Sequence, residues 1–361
     1  MGKEVKMFQQ KTIRDVDVKD KIVLVRTDYN VPLENSQIVD DLRIRASLPT
    51  LEYLLTNGVK NVVIISHLGR PHGPEADLSL APIAARLKEL LPNTPVSFCN
   101  QVSGSEVTNA IDKSPKGGII ILENLRFWPG EKENDKSFAK QIVDSTHAEL
   151  FVQDGFAVIH RAHASTSAIT ELLPSVAGLL LEKEITTLSQ VTHNPPHPFA
   201  VIIGGAKVAD KQPLIEKLLP IADTLLVGGK IAADGYTSSD PKIYVAEDFS
   251  SPEKEDLGPI ATEKILQSIT SASTVLWNGT LGKVEDPAYQ DSSTKIATAI
   301  GTHPTNNYTS IICGGDTTAF VESLQKSDPN LNYTLISTGG GAALALLAGE
   351  PLPGLTGLSK K

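Results

Sequence analysis

Cysteine is scarce: Cys99 and Cys313 are the only two in 361 residues. That excludes a disulfide framework, and a reducing compartment is the natural reading, with both thiols as small buried apolar groups. Long apolar runs are missing too. No stretch approaches the length of a membrane span, and the charged amino terminus, residues 1–11, lacks the apolar core of a signal peptide. The expectation is a cytoplasmic protein with no membrane partner. Positive charge is not in excess, and a net charge of −9 argues against a nucleic-acid binder that works by neutralising phosphates. No internal repeat or low-complexity tract is present, which excludes a solenoid or a disordered chain. Two nucleotide motifs are absent as well. Lys230 is followed by Ile231, so no G-x-x-x-x-G-K-S/T run forms, and no G-x-G-x-x-G opens a helix. A P-loop ATPase and a dinucleotide-dependent dehydrogenase are thereby disfavoured.

Arginine is absent from the second half. All eight, from Arg14 to Arg161, precede residue 162, while lysine continues to the end. A guanidinium fork binds carboxylate and phosphate bidentately, so the first half is a candidate for holding a multiply charged anion. Compositional drift is the bland alternative, and charge counting leaves the two level.

What is present is the material of an ordinary globular chain, with 40% apolar and 21% charged residues. At about 150 residues per domain the length suggests two domains. Short β-branched runs at residues 22–25, 62–65, 119–122, 200–203, 225–227, 275–277 and 311–312 alternate with amphipathic stretches, the pattern of parallel strands joined by helical crossovers. Residues 174–190 read as a helix, followed by a Pro-rich stretch at 194–198, and the domain junction is placed there. The predicted architecture is α/β: two doubly wound parallel-sheet domains, 1–173 and 193–345, joined by an interdomain helix or hinge at 174–192. Residues 346–361 are expected to return toward the first domain.

Glycine clusters follow the predicted strands of the second half: Gly204-Gly205-Ala206-Lys207, Gly228-Gly229, Gly314-Gly315-Asp316-Thr317 and Gly339-Gly340-Gly341. In open parallel sheets ligands sit beyond the carboxyl ends of the strands, where glycine lets backbone N–H groups and helix amino termini approach phosphate. Close helix packing accounts for any one cluster, but the set of them favours a phosphate-rich ligand. Asp316, at a predicted helix start, is either an N-cap or a ligand for phosphate-bound magnesium.

The run Val23-Leu24-Val25-Arg26-Thr27-Asp28-Tyr29-Asn30-Val31-Pro32 closely resembles the signature of the phosphoglycerate kinase family. Further segments follow in that family's order: Asp40-Asp41-Leu42-Arg43-Ile44, Ser66-His67-Leu68-Gly69-Arg70-Pro71, Glu123-Asn124-Leu125-Arg126-Phe127 and His160-Arg161-Ala162-His163. The second half continues with Gly204 to Lys211, Trp277-Asn278-Gly279, Gly314 to Thr317 and Ser337 to Ala342. The resemblance covers nearly the whole chain.

The resemblance implies reversible phosphoryl transfer between ATP and the carboxylate of 3-phosphoglycerate, giving 1,3-bisphosphoglycerate and ADP, by domain closure and in-line transfer. It implies a substrate patch of Asp28, Asn30, Arg43, His67, Arg70, Arg126, Arg161 and His163. For the nucleotide it implies Gly205, Lys207, Lys211, Gly229, Asn278, Glu285, Gly314, Gly315, Asp316 and Thr317, with Mg2+ on Asp316. Arg43, Lys207, Gly340 and Gly341 would surround the transferring phosphoryl group, and a monomer is the default. The nucleophile would be a carboxylate with a pKa of about 3.5, already ionised, so no general base is expected. Arg26 has a bland reading as a buried ion pair. The chain departs from the family's pattern at Gln153, at residues 157–159, and at Thr280, Cys313 and Leu335. Lys230 and a shortened stretch between Ala232 and Asp256 point to altered base selectivity. A catalytically impaired nucleotide or metabolite sensor is the alternative reading.

Overall fold

The computed structural model describes residues 8–305 and 307–361. Residues 1–7, part of the charged amino terminus and of the expected 1–173 domain, lie outside the described residues, as does Asn306. The described chain forms two compact units, residues 8–185 with Pro351–Lys361, and Thr186–Glu350.

In the first unit strands and helices alternate: β1 (Ile22–Arg26), the hairpin strands β2 (Leu33–Glu34) and β3 (Gln37–Ile38), α1 (Leu42–Thr56), β4 (Asn61–Ile65), α2 (Ala81–Leu90), β5 (Val96–Cys99), α3 (Ser105–Asp112), β6 (Gly118–Leu122), α4 (Pro129–Lys132), α5 (Lys136–Thr146), β7 (Leu150–Gln153) and β8 (Ser175–Ala177). Six of these strands form one sheet in the order β5-β6-β4-β1-β7-β8, with every pair parallel. The side-chain period of two explains why both faces are covered. In β1, Val23 and Val25 enter one core with Ile44, Leu51 and Ile83 of α1 and α2, while Ile22 and Leu24 enter the other with Val107, Ile111 and Phe138 of α3 and α5. Each fully buried aliphatic side chain contributes about 1.5–3 kcal/mol, so the central strands anchor the unit.

The chain leaves this unit within α6 (Leu179–His193). The helix expected from residue 174 begins later than the sequence suggested, because residues 175–177 pair with β7 as an edge strand. The start of α6 is capped from a distance. Buried Asp154, just past β7, accepts hydrogen bonds from Thr50 Oγ1 at 2.9 Å, Leu180 N at 3.1 Å and Leu181 N at 3.5 Å, satisfying helix donors that α6 cannot pair internally. A Cβ on Gly178 would lie 2.1 Å from Asp154 Oδ1, so the approach requires glycine. Burial pushes the Asp154 carboxyl up to about 7.

The second unit repeats the design with β9 (Phe199–Ile203), α7 (Val208–Leu218), β10 (Thr224–Val227), α8 (Gly229–Ala233), β11 (Ile243–Val245), α9 (Pro259–Ser271), β12 (Thr274–Asn278), α10 (Asp291–Gly301), β13 (Thr309–Cys313), α11 (Gly315–Ser327), β14 (Leu335–Ile336) and α12 (Gly340–Ala348). Its parallel sheet runs β11-β10-β9-β12-β13-β14. Ile202, Val275 and Trp277 pack against Ile265 of α9, Ile296 of α10 and Val321 of α11. After α12 the chain contributes α13 (Pro353–Thr356) to the first unit, held by Gly354 N to Ile159 O at 2.8 Å and Ser359 N to Ser175 O at 2.8 Å. Both cysteines are buried. No helix among the described residues is long and apolar enough to cross a membrane.

Candidate active site

In the first unit the predicted side chains collect beyond the carboxyl ends of β1, β4 and β6. The backbone N–H of Asn30 donates to Asp28 Oδ1 at 3.2 Å, and Asn30 Oδ1 accepts from Gly69 N at 2.7 Å. Arg43, in the first turn of α1, pairs with the other Asp28 oxygen. Arg126 Nη1 donates to Gly69 O at 2.6 Å, so the Gly69 loop is gripped from two strand ends. Asn124, which the sequence offered only as part of a motif, bonds Leu68 N, Leu68 O, Leu78 O and Arg126 N. It therefore sets the shape of that loop and the path of Arg126.

These groups are mostly positive and close enough to disfavour one another's charge. Burial first, then Arg161 and Arg26, lower the Arg126 guanidinium to about 10. Buried His67 is held well below the usual imidazole range by burial and by Arg26, Arg126, Arg43 and Arg161. Arg126 Nε is buried without a partner. Cations crowded at a strand end with an unsatisfied donor form a site for an anion that would supply the missing charge. Arg161 Nε meets His160 Nε2 at 3.1 Å, and His163 Nδ1 lies 3.6 Å from the Glu131 carboxylate. Arg70 is exposed and follows Gly69 directly, with no bond fixing it to the cluster among the described residues.

Glu131 was not foreseen. It sits in the charged run Gly130-Glu131-Lys132-Glu133, where nothing separates a fully buried carboxylate from a solvated one. Arg26, by contrast, is the buried ion-paired side chain its bland reading described, 3.9 Å from Glu131.

In the second unit the strand ends carry glycine turns. A Cβ on Gly279, at φ +96°, would lie 2.2 Å from Gly204 O, so that contact between turns requires glycine. At Gly315 the same addition meets nothing within 4 Å, leaving open space at the amino terminus of α11. Its N-cap is Gly314; Asp316 is thus in the first turn and is not the cap. Thr317 Oγ1 accepts from Gly279 N at 2.9 Å. Lys211 bonds Asn278 Oδ1, its ammonium is lowered by burial, and Asn278 Nδ2 is buried and unpartnered. Lys207 is exposed at the N-cap of α7, Gly229 opens α8, and Gly340 and Gly341 open α12. A cavity of about 350 Å³ is lined by Gly205, Lys230, Lys254, Lys283, Glu285 and Asp316, among others.

One sheet gathers guanidinium groups at its strand ends and the other gathers glycine turns, lysine and helix amino termini; this defines a two-sheet α/β phosphotransferase. The sequence pattern of the phosphoglycerate kinase family matches residues 13–243 and 236–350. The phosphoglycerate kinase of Dictyoglomus turgidum is 39% identical over 397 residues, covering 97% of this chain and 98% of that protein. The phosphoglycerate kinase of Roseiflexus sp. is 38% identical, covering 97% and 99%. A solved phosphoglycerate kinase from Pyrococcus horikoshii superposes with a TM-score of 0.85 at 28% identity, and one from Coxiella burnetii with 0.75 at 30%, each covering 96% of this chain and 98% of the other. The chain belongs to the phosphoglycerate kinase family and is an enzyme of glycolytic phosphoryl transfer.

Proposed function

We propose that the chain transfers a phosphoryl group reversibly between ATP and the carboxylate of 3-phosphoglycerate, with the acceptor on the first unit and the nucleotide on the second. The observation that carries this is the buried, unpartnered Arg126 Nε at a strand end, where burial and neighbouring guanidinium groups hold both His67 and Arg126 below their ordinary values. Asp28, Asn30, Arg43, His67, Arg70, Arg126, Arg161 and His163 bind the substrate, and Asn30 also orders the loop at Gly69. Gly205, Lys211, Gly229, Asn278, Glu285, Gly314, Gly315 and Thr317 hold the nucleotide. Arg43, Lys207 and the N–H groups of Gly340 and Gly341 stabilise the transferring phosphoryl oxygens, for which one well-placed cation contributes about 10³-fold or more.

Magnesium fits the second site. Asp316 is an exposed carboxylate on the cavity wall, and Mg2+ takes only one or two protein carboxylates, completing its shell with phosphate oxygens and water. The ion supplies neutralisation of phosphate charge. The acceptor is already ionised, so the protein's own work is placement. Substrates held on separate units react only when the units approach, with residues 174–192 as hinge between domains 1–173 and 193–345 and residues 346–361 returning to the first. The working form is a cytoplasmic monomer.

The test is turnover of purified protein with magnesium, ATP and 3-phosphoglycerate, trapping the acyl phosphate with hydroxylamine, with Lys207→Ala as control. Turnover that vanishes in the control, and a loss of about 10³-fold in Arg43→Ala with nucleotide affinity nearly unchanged, are expected. No turnover in folded protein with any nucleotide would return the sensor reading, which the family relatives do not support.

A further inference from the structure

Beneath the first unit's strand ends lies a charged layer to which the roles above assign no part. Glu131, in α4, and Arg26, the last residue of β1, are both fully excluded from solvent. Arg26 Nε donates to Ser165 Oγ at 2.8 Å. Ser165 in turn gives its hydroxyl, at 2.7 Å, and its backbone N–H, at 3.0 Å, to the two oxygens of Glu131. The guanidinium fork is committed elsewhere as well: Nη1 bonds Thr27 O and Nη2 meets His67 Nδ1 at 3.1 Å. His67 Nδ1 is 3.7 Å from Asp28 Oδ1, and the other Asp28 oxygen holds Arg43. A continuous line of contacts thus runs from Glu131 through Arg26, His67 and Asp28 to Arg43.

We propose that Glu131 is a positioning residue for phosphoryl transfer: by neutralising Arg26 it leaves Asp28 free to hold Arg43. The inference rests on the role given to Arg43 above. Its physical basis is that a buried charge must be compensated. Arg26 has two anions near it, Glu131 first and Asp28 second, and Arg161 adds repulsion. Without the Glu131 charge, the only remaining counter-ion in that set is Asp28. Drawing Asp28 toward Arg26 takes it from Arg43, whose half-buried side chain then loses its anchor. The planar fork cannot rotate to relieve this without giving up its bonds to Ser165, Thr27 and His67.

The experiment is a double-mutant cycle of Glu131→Gln and Arg43→Ala in the full chain, reading kcat with saturating substrates. Fluorescence of Trp128, which lies in the same unit as Glu131 and Arg43, in a Trp277→Phe background serves as the check on folding. Glu131→Gln is expected to lower kcat by about 10- to 100-fold alone and by less than about threefold in the Arg43→Ala background, as interacting residues do. Ser165→Ala cuts the same link without removing a charge and carries the test if Glu131→Gln fails to fold; its smaller loss should vanish in the Arg43→Ala background too. Equal losses in both backgrounds, or no loss at all, overturn the inference while leaving Arg43 in place. An Arg43→Ala enzyme within about tenfold of wild type overturns the Arg43 role and this inference with it.

Discussion

Replacing Asp154 with asparagine should make the first unit's stability less dependent on pH. The carboxyl rises from an ordinary value of 3.8 to about 7 because it is buried, and its Oδ2 has no partner. A folded-state pKa above the unfolded one means that the native state holds the proton more tightly. The stabilisation is therefore full below about pH 4 and is lost as pH rises through 7. Each tenfold difference in proton affinity is worth about 1.4 kcal/mol, so the ceiling is about 4 kcal/mol. Asparagine keeps the oxygen that accepts from Thr50, Leu180 and Leu181 but does not ionise, so the stability of Asp154→Asn relative to wild type should climb by up to about 1.4 kcal/mol per pH unit between 5 and 7 and level off above. Other titrating groups are common to both proteins and cancel. Urea unfolding at pH 5, 6, 7 and 8 measures this. Trp128 lies in the first unit and Trp277 in the second, so a Trp277→Phe background leaves fluorescence as a probe of the unit that contains Asp154. A stability difference that stays flat from pH 5 to 8 would refute the reasoning, and with it the statement that burial dominates at this carboxyl.

Two glycines of the second unit should separate structural from ligand-facing roles. Gly279→Ala forces a Cβ against Gly204 O in a left-handed backbone and should cost that unit about 2 kcal/mol or more, read as a lowered denaturant midpoint. Gly315→Ala meets open space, so it should leave the midpoint unchanged while weakening MgADP binding severalfold; unchanged binding would remove the start of α11 from the phosphate site. Base selectivity should be weak. The family match breaks and overlaps at residues 236–243, and the alignment to the Dictyoglomus relative runs over 397 positions against 361 residues here. The second unit's cavity is walled by exposed Lys230, Lys254 and Lys283, flexible tips that leave no buried group unpaired when the base changes. Values of kcat/KM for ATP, GTP and ITP should agree within about tenfold, and an ATP preference beyond about 100-fold would contradict this.

The sequence alone determined seven of the eight interior strands, the parallel α/β class and the order of the charged and glycine motifs; interior β7 (Leu150–Gln153) was missed, because its short run carries a single β-branched residue, although all four of its residues are buried. Strands β1, β4, β6, β9, β10, β12 and β13 are β-branched runs buried on both faces, so their composition differs from anything around them. The edge strands β5, β8, β11 and β14 were not legible, because a strand with one neighbour tolerates polar side chains; Ser97 and Ser175 break the apolar runs there. Residues 175–177 became a strand rather than the start of α6 only because β7 offers a free edge. The family resemblance nominated Asp28, Arg43 and Arg126 as one site; the parallel sheet places Asp28 and Arg126 just beyond the ends of β1 and β6, and Arg43 meets Asp28 from the first turn of α1. The sequence could not nominate Glu131, whose burial depends on Ser165, 34 residues later in the chain, and on Arg26 of β1. Nor could it give Asp154 its task at the start of α6. Local pattern is written in neighbouring residues, whereas counter-ion choice and the capping of one element by another are decided when distant segments pack.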